Sequence, residues 1–194
     1  MKDGKDGIVN KFDITRHAAK DIIKLKATRS TDIEVYEIPK EYKPEFWNIF
    51  KKHHYLDGAI NKGARCWVAY LWGVPVAFNS VLAMPSGSLK RAWREHRLVV
   101  LSDYQGMGIG SAMSECIGEI LLSEGKRFFS KTANIKLGEY RERKKHWRPT
   151  SKNKRARKDH LKSTRENYNN MVNKKLSLRV CYSHEYIGKN SDIV

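Results

Sequence analysis

The 194-residue chain has 38 Lys or Arg against 21 Asp or Glu, a formal net charge of +17 at pH 7. Its three cysteines stand far apart, and no stretch has the roughly 18 consecutive apolar residues that a membrane helix needs. These features exclude a disulfide-stapled scaffold and predict a cytoplasmic protein with no membrane span. The positive charge favours a polyanionic partner.

The sequence of the N-terminal third predicts a polar arm followed by the start of a folded domain. The first 30 residues are polar with sparse apolar points, and predict a mobile arm or a short helix. One domain is predicted over residues 31–194. Its first strand is expected at 32–38, where β-branched and aromatic residues precede Pro39. Pro44 fits the first turn of a helix with apolar residues at helical spacing.

A hairpin, a central strand and an amphipathic helix follow. Two apolar runs within 66–84 are separated by Trp72-Gly73, which predicts a β-hairpin. The strand at 96–101 is apolar on both faces, as expected in the centre of a sheet. Residues 111–123 place apolar side chains on one face of a helix, and a further strand follows it. This order of elements indicates a mixed α/β (α+β) fold.

A glycine-rich loop, Gln105-Gly106-Met107-Gly108-Ile109-Gly110, joins the central strand to this helix. Glycines remove side chains that would block a diphosphate from backbone N–H groups, and the helix N-terminus supplies a partial positive charge. A tight turn and a Rossmann dinucleotide loop are the alternatives. A Rossmann loop would open an alternating βαβ chain, whereas this loop follows a hairpin. The loop therefore predicts a phosphate-binding site.

This loop resembles the Q/R-x-x-G-x-G/A signature of the GNAT superfamily, and the order of elements resembles the GNAT fold. That fold has a mixed, mostly antiparallel sheet with splayed central strands flanked by helices. The resemblance implies transfer of an acyl group from acetyl-CoA or a related acyl-CoA to an amine. It also implies that the cofactor would bind along Leu98, Val99 and Val100 and on the loop residues Gln105, Gly106, Met107, Gly108, Ile109, Gly110 and Ser111.

A tyrosine after the next strand is the candidate proton donor to the departing thiolate. The segment from Asn134 to Tyr140 resembles the N-x-x-A-x-x-x-Y stretch of the family, although it is one residue shorter. The resemblance therefore implies a catalytic role for Tyr140. A surface or stacking role is the alternative.

Three segments are similar to a phage and prophage group of GNAT-like proteins that includes the DNA-modifying protein Mom. They are His53-His54-Tyr55-Leu56, His96-Arg97-Leu98-Val99-Val100 and Tyr104-Gln105-Gly106. The resemblance implies a phage- or prophage-encoded enzyme in the bacterial cytoplasm that acts on an amine of a DNA base. It also implies that His54 and Tyr55 line the acceptor pocket, and it raises iron as a cofactor.

Other candidate site residues lie on and beside the central strand. Neighbours on a strand point to opposite faces, so either His96 or Arg97 should reach the cleft. Glu95 and Asp103 are the nearest acids that could act as a base through water. No His, Cys or Asp cluster has metal-ligand spacing along the sequence, so the ligands of any metal are unknown.

A basic insertion is predicted over about 135–176, before a final strand at 177–187. From Ile135 to Arg179 the chain has 16 Lys or Arg and four Asp or Glu, a net charge of +12. One interpretation is a solvated or disordered segment, and the other is a surface that binds nucleic-acid phosphates and stacks on bases. The predicted contacts to nucleic acid are Arg141, Arg143, Lys144, Lys145, Trp147, Arg148, Lys154, Arg155 and Arg157.

Three hypotheses about function follow from these features. The first is a GNAT-type transferase that uses an acyl-CoA-like donor to modify an amine on a DNA base. The alternative is a conventional acetyl-CoA-dependent N-acetyltransferase of a small amine or a protein. The third is a DNA-binding protein that has the same fold and no catalytic activity.

Overall fold

The computed structural model describes residues 23–26, 32–54, 58–157 and 179–189. Most of the predicted N-terminal arm, Tyr55, residues 158–176 of the predicted basic insertion and residues 177–178 of the predicted final strand lie outside these ranges. The chain, for which one domain was predicted, divides into two compact units, residues 1–128 and 129–194. Within the described ranges, no helix is long and apolar enough to cross a membrane.

Five antiparallel strands form the sheet of the first unit, and each pairs with the next along the chain. They are β1 Ile23–Lys26, β2 Asp32–Glu37, β3 Arg65–Leu71, β4 Val74–Ala83 and β5 Ala92–Val100. The first strand falls where the sequence predicted an arm or a helix. Its four residues are too few to show a periodicity, and their pairing with β2 determines their conformation.

The predicted hairpin is the β3–β4 pair. Trp72 and Gly73 have φ angles of 51° and 79°, the two positive values of a type I′ turn. Such a turn matches the twist of the flanking strands, and glycine adopts its second position without strain.

Two α-helices flank the strands of the first unit. They are α1, Lys43–Phe50, with Pro44 in its first turn, and α2, Ile109–Ser123. Trp47 and Phe50 of α1 are buried against Phe78 of β4, with ring centroids 5.4 Å and 5.7 Å apart. Burial of each such aromatic side chain stabilises the fold by about 1.5–3 kcal/mol, which fixes α1 to the sheet.

The described part of the second unit has one helix and several strands. The strand β6, Arg127–Thr132, begins just before the division, and α3 follows at Ile135–Glu142. Then β7, Trp147–Pro149, and β8, Arg155–Arg157, pair antiparallel with the two ends of β9, Arg179–Tyr186. The described part of the predicted basic insertion is therefore folded as α3, β7 and β8. The mixed α/β class predicted from the sequence is confirmed.

Candidate active site

The glycine loop ends at the N-terminus of α2. Gly106 and Gly108 have φ angles of 83° and 80°, and Gly108 is the residue that caps the helix. A Cβ atom added at Gly106 would meet nothing within 4 Å, so the backbone here is open to an approaching group. The first-turn N–H groups of a helix have no acceptor within the helix, and the first turn of α2 has no acidic residue. This geometry suits a bound anion.

One hydrogen bond joins the loop to the end of β5, and another joins it to the start of α2. Gln105 donates from Nε2 to the carbonyl oxygen of Val100 at 2.9 Å, and Ser111 donates from Oγ to that of Gly108 at 2.9 Å. A Cβ atom added at Gly110 would lie 3.2 Å from Cγ2 of Val100. The small residue therefore lets α2 pass close to the strand.

The strand residues before the loop have different surroundings. Val99 is buried in the core beside Phe78, whereas Leu98 and Val100 are half-buried on the side that faces Gly110. Val99 packs as a core residue, so any contact that it makes with a cofactor is through its main chain.

A β-bulge interrupts β5 upstream of these residues. Ser80 pairs with Arg97, but the next residue of β4, Val81, pairs with Glu95, so His96 is the extra residue. The bulge interrupts the regular alternation on which the prediction for His96 and Arg97 was based, because Glu95 and Arg97, two residues apart, face different helices.

The bulge directs Glu95 toward α2. Its Oε1 accepts hydrogen bonds from Nδ2 of Asn79 at 2.9 Å and from Oγ of Ser114 at 2.8 Å. Asn79 and Ser114 are fully buried, so this cluster joins β4, β5 and α2 in the interior. Asp103, the other acid predicted as a base, is exposed in the turn Ser102–Tyr104 just before the glycine loop.

On the side of the bulge that faces α1, Arg97 and His54 are in contact. Nη1 of Arg97 lies 3.1 Å from Nδ1 of His54, and the guanidinium carbon lies 4.9 Å from the ring centre of Trp47. Arg97 is only 7% exposed. Trp47 is held in turn by a 2.7 Å hydrogen bond from its Nε1 to the carbonyl oxygen of Gly58.

The imidazole of His96 is in an environment that disfavours its charged form. Burial first, and then the nearby positive charges of Arg97 and Arg94, together lower its pKa to about 4. Its Nδ1 is buried and has no hydrogen-bond partner within the described part of the chain. His96 is therefore a neutral imidazole at neutral pH.

The polar residues inside β4 were missed by the sequence analysis. Asn79 and Ser80 interrupt an otherwise apolar strand, and both are fully buried. A buried polar residue usually has a hydrogen-bond partner. The interruption of the apolar run was therefore the signal for the contact between Asn79 and Glu95.

Tyr140, the predicted proton donor, lies on α3 of the second unit. Asn134 caps this helix, since its Oδ1 accepts from the backbone nitrogen of Leu137 at 3.1 Å. Tyr140 is half-buried, and Nζ of Lys144 lies 5.2 Å from its ring centre. Tyr55 lies outside the described residues.

Two of the predicted contacts to nucleic acid are wrong because their side chains are buried. Arg141 is 1% exposed; its Nη1 donates to Oγ of Ser130, and its guanidinium lies 4.4 Å from the ring centre of Trp147. Trp147 is 3% exposed and packs on Tyr186, with ring centroids 4.9 Å apart. Neither side chain can reach a phosphate or a base.

The other cations that were predicted to contact nucleic acid have exposed side chains, wherever the structure describes those side chains. Arg148 pairs with Glu185 at 2.7 Å. Lys154 pairs with Glu142 at 2.8 Å. The remaining exposed side chains of this set are Arg143, Lys144, Lys145 and Arg155, while only the backbone of Arg157 is described.

A cluster around Glu142 joins three segments of the second unit. Its Oε1 accepts from Nε2 of His184 at 2.6 Å and from Nδ2 of Asn153 at 2.6 Å, and its Oε2 contacts Nζ of Lys154. These donors, Lys154 foremost, lower the pKa of Glu142 to about 2. His184 is fully buried, and burial lowers its pKa. The cluster holds α3, the turn after β7 and β9 together.

The described residues offer no metal centre. Within residues 23–26, 32–54, 58–157 and 179–189, no group of three or more His, Cys, Asp or Glu could hold a metal ion. The iron that the resemblance implied therefore has no ligand set in this part of the chain.

A strand, a glycine loop and a helix N-terminus in this order form an arrangement that, in α/β proteins, suits a bound diphosphate. Residues 33–136 match the model of the Acetyltransferase (GNAT) family. The chain belongs to this family, as its loop signature predicted. No curated protein sequence matches the chain.

Solved structures with the same fold include three acetyltransferases or related proteins. An IAA acetyltransferase from Bacillus cereus has a TM-score of 0.53 and 15% identity over 79% of this chain and 98% of its own. The ribosomal-protein-S18-alanine N-acetyltransferase from Escherichia coli has a TM-score of 0.53 and 14% identity, over 84% and 98%. The protein yncA from Salmonella typhimurium, solved with its cofactor acetyl-CoA, has a TM-score of 0.52 and 12% identity, over 82% and 96%. These similarities establish the fold.

Proposed function

We propose that this protein is an acetyl-CoA-dependent N-acetyltransferase whose acceptor is the amine of a small molecule or a protein. The observation that carries the proposal is the left-handed backbone at Gly106 and Gly108, directly before the N-terminus of α2, with open space beside Gly106. Membership of the GNAT family supports acetyl-CoA as the donor. The Escherichia coli protein of the same fold is named for transfer to a protein alanine, which supports an amine acceptor.

The residues of the loop fit the cofactor that the family implies. The first-turn N–H groups of α2, which have no acceptor within the helix, would hold the diphosphate, and the main chain of β5 from Leu98 to Val100 would hold the pantetheine arm. Bound acetyl-CoA supplies an acyl group already activated as a thioester. The protein must therefore orient the amine, remove its proton and exclude water.

The acceptor amine is proposed to bind beside the bulge of β5. His96 and Arg97 at the bulge and His54 after α1 are polar side chains there, and the two bulge residues lie three to four residues upstream of Val100, where the strand meets the glycine loop. Three to four residues of strand are about 10–14 Å long, so the cofactor and the acceptor would occupy different lengths of one strand. By resemblance to the group that includes Mom, Tyr55 is proposed to line the acceptor pocket. By resemblance to the GNAT superfamily, Tyr140 is proposed as the proton donor.

Calorimetry with acetyl-CoA and an assay of released CoA test this proposal. The wild type should bind acetyl-CoA and release CoA with at least one amine in a panel of peptides and small amines. Gly108→Glu should abolish both, because a side chain at a positive φ and a negative charge would both oppose the diphosphate. Binding that survives in Gly108→Glu would place the cofactor elsewhere.

A second candidate acceptor is an amine on a nucleic-acid base, as in the Mom-like group. The observation in its favour is the charge of the second unit. Its described residues, 129–157 and 179–189, include 13 Lys or Arg and three acids, Glu139, Glu142 and Glu185. Glu142 and Glu185 are already paired with cations.

Several of these cations are available to phosphates. Among the described residues, no carboxylate pairs with the exposed side chains of Arg143, Lys144, Lys152 and Arg155. Phosphate contacts of this kind give a nucleic-acid affinity that falls steeply with salt. A base inside a duplex is unreachable, so such an enzyme would act on a flipped base or on a single strand.

Two measurements test the nucleic-acid acceptor. Nucleosides of DNA co-expressed with the wild type should contain a modified base that is absent with His54→Ala, and unmodified DNA in both cultures would exclude this acceptor. In fluorescence anisotropy with single-stranded DNA, Lys144→Glu/Lys152→Glu should weaken binding more than Lys40→Glu/Lys90→Glu. The second pair makes the same change of charge at exposed lysines of the first unit.

A further inference from the structure

We propose that Arg97 is a positioning residue that holds His54 as a neutral hydrogen-bond donor, so that His54 does not serve as the base of the reaction. The inference rests on the proposed function, because it assigns a role within the acceptor site beside the bulge. It depends on one contact, the 3.1 Å approach of Nη1 of Arg97 to Nδ1 of His54.

The chemistry of the two groups fixes the direction of this hydrogen bond. A guanidinium has five N–H donors and no acceptor, and it stays protonated in proteins. Nδ1 of His54 must therefore accept, and it must carry a lone pair and no proton. A neutral imidazole with a lone pair on Nδ1 carries its proton on Nε2. His54 is thus held as the Nε2–H tautomer.

The surroundings of Arg97 keep this arrangement in place. The guanidinium is 7% exposed and lies over Trp47, whose own Nε1 is bonded to the carbonyl oxygen of Gly58. The ring of His54 packs on the same tryptophan, with ring centroids 5.8 Å apart and an interplanar angle of 65°. A Cβ atom at Gly58 would lie 3.7 Å from Nη2 of Arg97. Neither ring nor guanidinium can turn away without disturbing its neighbours.

The consequence concerns what His54 can do with a proton. To act as a base it would have to gain a proton at Nδ1, because Nε2 already has one. That step would break the bond from Arg97 and place two positive groups 3.1 Å apart in a poorly solvated site. The Nε2–H group, in contrast, can donate a hydrogen bond to the bound amine substrate or to an oxygen that gains negative charge during acyl transfer. Removal of the amine proton then falls to another group or to water.

Nitrogen-15 NMR of the histidine side chains tests the tautomer without any assay of activity. At pH 7 the wild type should show His54 as the Nε2–H tautomer, and Arg97→Lys, which keeps a donor, should retain it. Arg97→Met should lose the fixed tautomer while its circular dichroism remains that of the wild type. A protonated His54, or an Nδ1–H tautomer, in the wild type would overturn the proposal.

Kinetics with the best acceptor of the panel test the role. The amide nitrogen of a glutamine can replace the donor at Nε2 but cannot act as a base. We therefore expect His54→Gln to lose less than about tenfold in kcat/KM and His54→Ala to lose about 100-fold or more, as for removal of a donor to developing charge. Equal losses of kcat/KM in the two variants would indicate that His54 acts as a base, and would refute the proposal.

The failure of this inference is distinguishable from that of the proposed function. Calorimetry with acetyl-CoA on His54→Ala should give the wild-type affinity, since the contacts described for His54 are with Arg97 and Trp47 and the diphosphate is proposed to bind at the glycine loop. A protein that acetylates no amine, yet shows the Nε2–H tautomer, would refute the proposed acceptor chemistry alone. A protein that acetylates amines with a protonated His54 would refute the role of Arg97 alone.

Discussion

Replacement of Gly106 by alanine tests whether the glycine loop is a cofactor site or a simple turn. The same replacement at Gly125 should cost a similar free energy of unfolding, and it therefore serves as the control. Gly106 has a φ of 83°, and an added Cβ would meet no atom within 4 Å. Gly125, after α2, has a φ of 67°, and its Cβ would meet only the end of the flexible Arg91 side chain, at 3.0 Å. The left-handed conformation costs each alanine about 1–2 kcal/mol. In a domain of this size, that cost lowers Tm by about 2–8 °C.

The two variants should differ in their affinity for acetyl-CoA. A methyl group on Gly106 would stand where a diphosphate approaches the backbone, and loss of one hydrogen bond to a charged group is worth about 1.5–3 kcal/mol. That loss corresponds to an increase in Kd of about 10- to 150-fold. Isothermal titration calorimetry should show this increase for Gly106→Ala and a wild-type Kd for Gly125→Ala. A wild-type Kd for Gly106→Ala, or equal weakening in both, would refute the assignment of the loop.

Two further predictions concern the second unit. Gly138→Ala should lower Tm by about 2–12 °C, since its Cβ would come 2.2 Å from Cγ of Tyr182 and overpacking costs about 1–3 kcal/mol. Gly87→Ala, with no atom within 4 Å of its Cβ, is the control, and equal Tm values for the two would contradict the packing. The pKa of Glu142 is lowered from 4.5 to about 2, chiefly by Lys154, so its carboxylate stabilises the fold above about pH 4.5 and loses this effect as the pH falls toward 2. The difference in Tm between wild type and Glu142→Gln, measured by circular dichroism, should therefore shrink as the pH falls from about 4.5 toward 2. A constant difference would argue against this contribution of the Glu142 carboxylate.

The parts of the site that depend on local sequence were predictable. The glycine loop combines residues that can adopt a positive φ with an amphipathic helix directly after it, and all of these signals lie within about 20 residues. The turn at Trp72-Gly73 was equally visible, because a glycine between two apolar runs favours a hairpin.

The parts that depend on register and burial were not predictable. The bulge at His96 is a property of how β4 and β5 pair, and no residue of β5 alone marks it. The contact between Arg97 and His54 joins residues 43 positions apart. Arg141 and Trp147 were assigned to the surface because of their charge and aromatic character, but a guanidinium can be buried when it stacks on an indole and bonds to a serine.

The bulge of β5 also divides the strand into two halves whose side chains can evolve separately. Before it, the side chain of Glu95 belongs with α2, and after it Arg97 belongs with α1. The extra residue shifts the alternation by one position, so side chains before and after it pack on different helices. A lineage could therefore alter the residues of one half while it retained the neighbours of the other. A deletion of His96 alone would make Glu95 and Arg97 neighbours that alternate as in a regular strand, so it should preserve the facing of both halves and be the best tolerated deletion in the strand.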